Sequence, residues 1–363
     1  MRIAVDAREL CGKPTGVGRY LHELLVEWSN SSDAARHEWS IYAPCLPELP
    51  AAFAGRARIL AGQGGTRWEQ WTLGRALAAA RPDVLFAPGY SAPLLAPCPI
   101  VVTIHDVSFS ARPEWFTPRE GARRRTLTRW SARRARVVLT VSEFSKREIA
   151  ARLGIAPGRI RVTPHGVRPA THHPEAREPI VLYVGSIFER RHVDRLVDAF
   201  VTRVARAVPD ARLEIVGENR LSRGDAIERS LAAAPDDVRA RVRLRSYVDA
   251  ATLEQLYARA RVFAFLSEYE GFGLTPLEAI AHGVPPVVLD TEVAREVYGP
   301  AAEYLAPGPT LVGDLGQALV QLLVDPGAHG RLVAQGPAVL ARYNWSRTAA
   351  ATLEALEEAA GAR

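Results

Sequence analysis

Two glutamates separated by seven residues, Glu270 and Glu278, bracket a glycine-broken turn in the stretch SEYEGFGLTPLEAIAHGVPPVV, residues 267 to 288. Carboxylates accept from sugar hydroxyls, whereas phosphate is held by N–H groups and cations. Gly271 and Gly273 carry no Cβ, so backbone there can approach a ligand closely. The residues that follow read as a helix start, with Thr275 as cap, Pro276 at the first helical position and Glu278 three residues past the cap. Glu278 therefore fits a capping box, and that role does not exclude a ligand contact. A helix starting here points free N–H groups and its positive end at whatever lies above the turn. The amides of Gly273, Leu274 and Thr275 then form a candidate phosphate site with a carboxylate on either side. A molecule with hydroxyls flanking a diphosphate is a nucleotide sugar.

Three other places carry chemistry. Arg190 and Arg191 in FERRHVDRL stand at a helix start, where positive charge opposes the macrodipole unless an anion lies between them; otherwise they are two solvated residues. His105 in TIHDVSF follows an apolar strand and is either a ligand contact or a satisfied structural histidine, and Asp106 beside it caps or orients the loop. Gly16 and Gly18 in KPTGVGRY read as a shortened phosphate loop or as a tight turn, since a lone G-x-G is a weak signal.

The elements that position these residues are legible as strand then helix, repeated. Apolar runs such as RIAVDA, DVLFAP, IVVTIHD and RVVLTVS in the first half, and IVLYVGS, RLEIVGE, RVFAFLS and PPVVLD in the second, are continuous rather than alternating. Strands buried on both faces of a parallel sheet read this way. Amphipathic segments lie between them, which argues an α/β chain with two doubly wound units. The length of 363 residues agrees with two domains. The seam is expected at VRPATHHPEAREPI, so that residues 1–170 form the first domain, 171–180 the linker and 181–344 the second domain. The closing helix is expected over residues 345–363, with Ser346 as its cap.

Composition bounds the partners. The net charge of +6 and the sequence pI near 9.5 favour anionic partners. Lysine occurs only at Lys13 and Lys146, so arginine carries the positive charge, and arginine offers forked donors suited to phosphate. The segment 119–136 contains eight arginines, with Arg125, Arg129 and Arg133 on one helical face. It is either a solvated face or a peripheral docking site for anionic lipid or a lipid-linked acceptor. No aromatic interleaving supports nucleic acid. Three widely spaced cysteines, Cys11, Cys45 and Cys98, suggest neither a disulfide framework nor a zinc site and fit a reducing cytoplasm. The start MRIAVDAREL does not read as a signal peptide, and no window approaches a membrane span.

The Glu270–Glu278 block resembles the E-x7-E signature of retaining glycosyltransferases of family 4. The blocks GVGRYLHELL, FAPGYSAPLLAPCPIVVTIHDVSF, VSEFSKREIAARLG, PHGV, YVGSIFERRHVDRLVDAF and NWS match that family's pattern in order. The resemblance implies the GT-B fold, two facing Rossmann-like doubly wound domains with a cleft between them, the first on the acceptor side. It also implies that the closing helix packs back on the first domain. By the same resemblance Glu270 meets hydroxyls of the donor sugar, Glu278 accepts from the ribose, and the amides of Gly271, Phe272, Gly273 and Leu274 line sugar and diphosphate. Arg190 and Arg191 neutralise the leaving group, Arg191 replacing the usual lysine. His105 reaches the donor sugar near the reacting carbon, and the loop of Gly16 and Gly18 lies beside the donor phosphates and acceptor.

The expected activity is metal-independent, cofactor-free transfer of a mannose- or rhamnose-like hexosyl group, with retention, from a nucleotide-diphosphate sugar to a hydroxyl acceptor. That acceptor is a glycan, a lipid-linked glycan or a small molecule, and surface polysaccharide assembly is the expected setting. The alternatives are a natural-product acceptor or a nucleotide-sugar-binding scaffold without turnover. A phosphorylase would need a lysine for pyridoxal phosphate, for which only Lys13 and Lys146 exist.

Overall fold

A computed structural model describes residues 1–12, 16–170, 176–221 and 226–361. Among them, seven parallel strands form the first sheet: β1 Arg2–Asp6, β2 Glu38–Ala43, β3 Ala57–Ile59, β4 Val84–Ala87, β5 Ile100–Thr103, β6 Val137–Thr140 and β7 Ile160–Val162, in the order β3-β2-β1-β4-β5-β6-β7. Six more form the second: β8 Ile180–Val184, β9 Arg212–Val216, β10 Val242–Arg245, β11 Val262–Phe265, β12 Pro286–Leu289 and β13 Glu303–Leu305, in the order β10-β9-β8-β11-β12-β13. Each sheet starts in its middle and reverses direction beside its first strand, the Rossmann pattern in which ligands gather beyond the carboxyl ends of the strands near that switch. Every residue of β4, β5, β6, β8, β11 and β12 is buried, which is why these runs are apolar without alternation.

The chain divides into two compact units, Met1–Gly166 with Asn344–Arg363, and Val167–Tyr343. The first therefore ends four residues before the expected 170. Of the expected linker 171–180, residues 171–175 lie outside the described residues, and the rest already belongs to the second unit. Arg177 donates to the carbonyls of Ala258 and Ala260, and β8 opens at Ile180.

The closing helix, Trp345–Gly361, packs within the first unit. Trp28 Nε1 donates to Ala349 O at 3.0 Å and Thr348 Oγ1 to Pro164 O at 2.6 Å. Its cap is Asn344, whose side-chain oxygen accepts from the Arg347 N–H at 3.1 Å, and not the expected Ser346. A Cβ on Gly166 would stand 2.2 Å from the Trp345 nitrogen, so the PHG turn needs glycine to let the helix return.

The reading of the cysteines is corrected. Cys11 and Cys45 form a disulfide, with Cα atoms 6.0 Å apart, while Cys98 is buried and takes no part in a disulfide. β1 and β2 pair in parallel, and the two cysteines lie just beyond their carboxyl ends. Adjacency of those ends, hidden by a sequence separation of 34, brings the sulfurs together.

Candidate functional site

The second unit builds its site where β8 and β11, paired in parallel, both end. After β8 the chain makes a tight turn, Glu189–Arg191, and after β11 it enters the loop carrying Glu270. A backbone bond from Glu268 N–H to Arg190 O, 3.0 Å, ties the two together. Arg191 then reaches Glu270: Nη2 and Nε donate to the same Oε1 at 2.8 and 3.1 Å. Ser267 Oγ adds a third donor to that oxygen at 2.8 Å. Arg191 Nη1 donates to Ser186 O, and its guanidinium lies over the Phe265 ring at 5.0 Å. Burial works against this charge, and Glu270 with the Tyr183 hydroxyl more than offsets it, so Arg191 is held in its charged form. Glu270 Oε1 is thus fully engaged while Oε2 has no protein donor among the described residues, and the side chain keeps 22% exposure.

Arg190 is brought to the same turn but held differently, its guanidinium 4.2 Å from the Phe188 ring centroid. His192, to which the sequence assigned no role, takes a left-handed backbone and pairs with Glu268 at 2.7 Å.

The helix after the turn is Leu274–Ala281, capped by Gly273 with φ 89° and ψ 74° and by no side chain. Thr275 is therefore not the cap, and Pro276 is the third helical residue. Left-handed backbone at Gly273 lets the chain turn into the helix two residues earlier than Thr275 would. The capping box fails with it: Glu278 is buried and accepts from Tyr257 Oη at 3.1 Å. Tyr257 in turn stacks on His282, 4.9 Å between centroids. Tyr298 Oη donates to Gly273 O at 3.0 Å and fixes the turn from behind. The Phe272 ring is buried edge-on against Tyr343, so that residue offers a ligand only its backbone. Tyr298, Tyr257 and Ser267 are supports that sequence reasoning missed. Ser267 stands in the quoted block, but the two tyrosines carry no local signal.

In the first unit, His105 follows β5 at its carboxyl end and is buried. Its Nε2 lies 2.8 Å from Pro88 O, and since a carbonyl only accepts, Nε2 carries the proton. The rings of Tyr20, His165 and Tyr90 pack around it at 5.0, 5.3 and 5.6 Å. Tyr90 holds a left-handed φ of 66° and donates to Asp106 Oδ2 at 2.7 Å, while Asp106 Oδ1 caps the Ser108 N–H. Asp106 thus orients the loop. Burial lowers the pKa of His105 and lowers that of His165 further, the neighbouring His105 adding to the effect. The unfolded chain binds protons at these sites below about pH 6.5, where the folded protein still resists them. Their stabilising contribution is full above that value and is lost progressively as pH falls below it. A Tm-against-pH profile is expected to drop on acidification from pH 6.5, and His165→Phe, which keeps the ring stack, is expected to flatten that drop. An unchanged slope would remove His165 from the account.

Two family models match the chain, one described as glycosyltransferase family 4 over residues 14–171 and one as glycosyl transferases group 1 over residues 178–325. The O-antigen chain mannosyltransferase B of Escherichia coli is 28% identical, over 70% of this chain and 69% of its own. A glycogen synthase of Mycobacterium tuberculosis is 26% identical, over 93% of this chain and 90% of its own. Among solved structures, Anabaena HepE in complex with UDP and glucose superposes with a TM-score of 0.75 at 18% identity, covering 99% of this chain and all of that one. The chain belongs to the family 4-like glycosyltransferases. Its two Rossmann-like parallel sheets are those of the GT-B fold.

The remaining expectations for this glycosyltransferase fall as follows. Gly16 opens the helix Gly16–Ser29 and Gly18 is buried in its first turn, so both are helical residues rather than loop. Residues 13–15, the rest of the expected phosphate loop, lie outside the described residues. The arginine-rich stretch forms the helix Pro118–Arg134, and several of its charges are used locally. Arg125 donates to Phe109 O at 3.2 Å, Arg134 to Ala96 O at 3.0 Å, and Arg124 pairs with Glu120 at 2.8 Å. No helix among the described residues is long and apolar enough to cross a membrane.

Proposed function

We propose that this glycosyltransferase moves a hexosyl group, mannose-like or rhamnose-like, from a nucleotide-diphosphate sugar to a hydroxyl acceptor, with retention at the anomeric carbon. The observation that carries this reading is the Arg191–Glu270 pair standing at paired strand ends, in the loop that leads into a glycine-capped helix start. Cation and helix N-terminus together stabilise a departing diphosphate. Glu270 Oε2 is left to accept from the donor sugar, and Glu278, fixed by Tyr257, from the ribose. Arg190 completes the charge neutralisation, so the reaction needs no metal. His105, protonated on Nε2, serves the sugar through Nδ1. The acceptor is a glycan or lipid-linked glycan, in keeping with the mannosyltransferase relative.

The test is a thermal-shift screen of UDP-, GDP-, ADP- and dTDP-sugars, followed by turnover with the best donor and NMR of the product's anomeric proton. A GDP- or dTDP-hexose is expected to stabilise the protein, and the product is expected to keep the donor's α or β configuration. An inverted product would overturn the mechanism. Turnover is expected to survive EDTA in metal-free buffer, and its loss, restored by added divalent cation, would overturn metal independence.

A further inference from the structure

At the amino ends of β5, β6 and β7, on the edge of the first sheet opposite His105, lies a cavity of about 730 Å³. Its wall carries Arg133, Arg134, Arg136, Arg159 and Arg161 against a single carboxylate, Glu358. That carboxylate is committed, since Arg161 pairs with it and with Glu354. The other four guanidiniums have no carboxylate partner among the described residues. Arg159 donates to the carbonyls of Ala132, Arg133 and Ala135, so it closes the end of the helix Pro118–Arg134 and covers its negative pole. Arg134 donates to Ala96 O at 3.0 Å. Arg133 lies over the Trp130 ring at 5.8 Å, and the Arg136 side chain makes no hydrogen bond or ion pair among the described residues. Neutral carbonyls and a ring satisfy donors but leave the charges unbalanced, and like charges converging on one cavity repel. The space beside Gly158 is open, for a Cβ there would meet nothing within 4 Å.

We propose that this cavity binds a phosphate-bearing anion with at least two negative charges, at a site apart from the donor site. Forked guanidiniums match phosphate oxygens in pairs, and the volume suits a diphosphate with a small substituent. A soluble diphosphate and an anionic lipid headgroup both present this chemistry.

Calorimetric titration with inorganic pyrophosphate, and flotation with phosphatidylcholine vesicles containing phosphatidylglycerol, test it on the full chain. Three proteins are compared: wild type, Arg133→Glu/Arg136→Glu and Arg190→Ala. At least one probe is expected to show a binding component in wild type that Arg190→Ala retains and that the double variant weakens about tenfold or more. Loss of the pyrophosphate response points to a soluble ligand, and loss of vesicle binding alone to a headgroup; either supports the site. The proposal is overturned if neither probe binds wild type, or if all binding survives in the double variant, or if it vanishes in Arg190→Ala instead. Arg136→Ala, which removes no fold-supporting contact, replaces the double variant should that one unfold.

Discussion

Arg191→Met is expected to lower kcat by about 10²–10³-fold, the range found when one preorganised charge-stabilising donor is removed. Arg191→Lys, which restores the residue usual in the family, is expected to lose less than about tenfold. The asymmetry follows from the geometry. On the proposed mechanism the departing diphosphate needs positive charge at the end of β8, and lysine keeps that. What lysine loses is the second donor on Glu270 Oε1, because arginine supplies both Nη2 and Nε to that oxygen. Arg191→Met also strands Glu270, which is mostly buried and would keep only Ser267 as a donor. Breaking such a pair destabilises by about 3–5 kcal/mol when fully buried, and by less here because both side chains keep some exposure. Structure and catalysis separate in the double variant Arg191→Met/Glu270→Gln. Removing the stranded charge is expected to recover much of the lost Tm, while kcat stays low. If kcat recovered together with Tm, the pair would be a structural strut and the charge argument would fail.

How much of this was open to a reader of the sequence depends on how far each signal reaches along the chain. The buried strands were legible because burial on both faces makes the whole run apolar, as in VLFA of β4 and VFAF of β11. β3 and β13 were not, for they are three-residue edge strands, ARI and EYL, with few buried positions and no run to read. The places of Glu270, Arg190 and Arg191 were legible from their blocks, whereas the pairing of Arg191 with Glu270 depends on β8 and β11 being neighbours. The Cys11–Cys45 disulfide is hidden for the same reason, since it depends on β1 lying beside β2. Proline is an ambiguous marker of the helix start. Pro276 suits the first helical position, but any first-turn position tolerates proline, because an N–H there has no intrahelical acceptor to lose. The left-handed backbone of Gly273 made an earlier start available.

That glycine carries the second large expected effect. Gly273→Ala places a β-carbon on backbone with φ 89°, and the new atom would stand 1.9 Å from Tyr298 Oη. Holding alanine in left-handed backbone costs about 1–3 kcal/mol, and the tyrosine must also give way. A fall in Tm of about 5–10 °C is expected for a unit of this size. If the amides at the helix start hold the diphosphate as proposed, the same displacement turns them away from it, and the donor KM is expected to rise about tenfold or more. Tyr298→Phe removes the hydroxyl that the methyl meets and releases its bond to Gly273 O. Gly273→Ala/Tyr298→Phe should therefore regain part of the Tm. It should not regain the donor affinity in full, because the backbone cost at position 273 remains. A Gly273→Ala enzyme with lowered Tm and an unchanged donor KM would show that the turn supports the fold without holding phosphate. The diphosphate would then have to be bound by Arg190 and Arg191 alone.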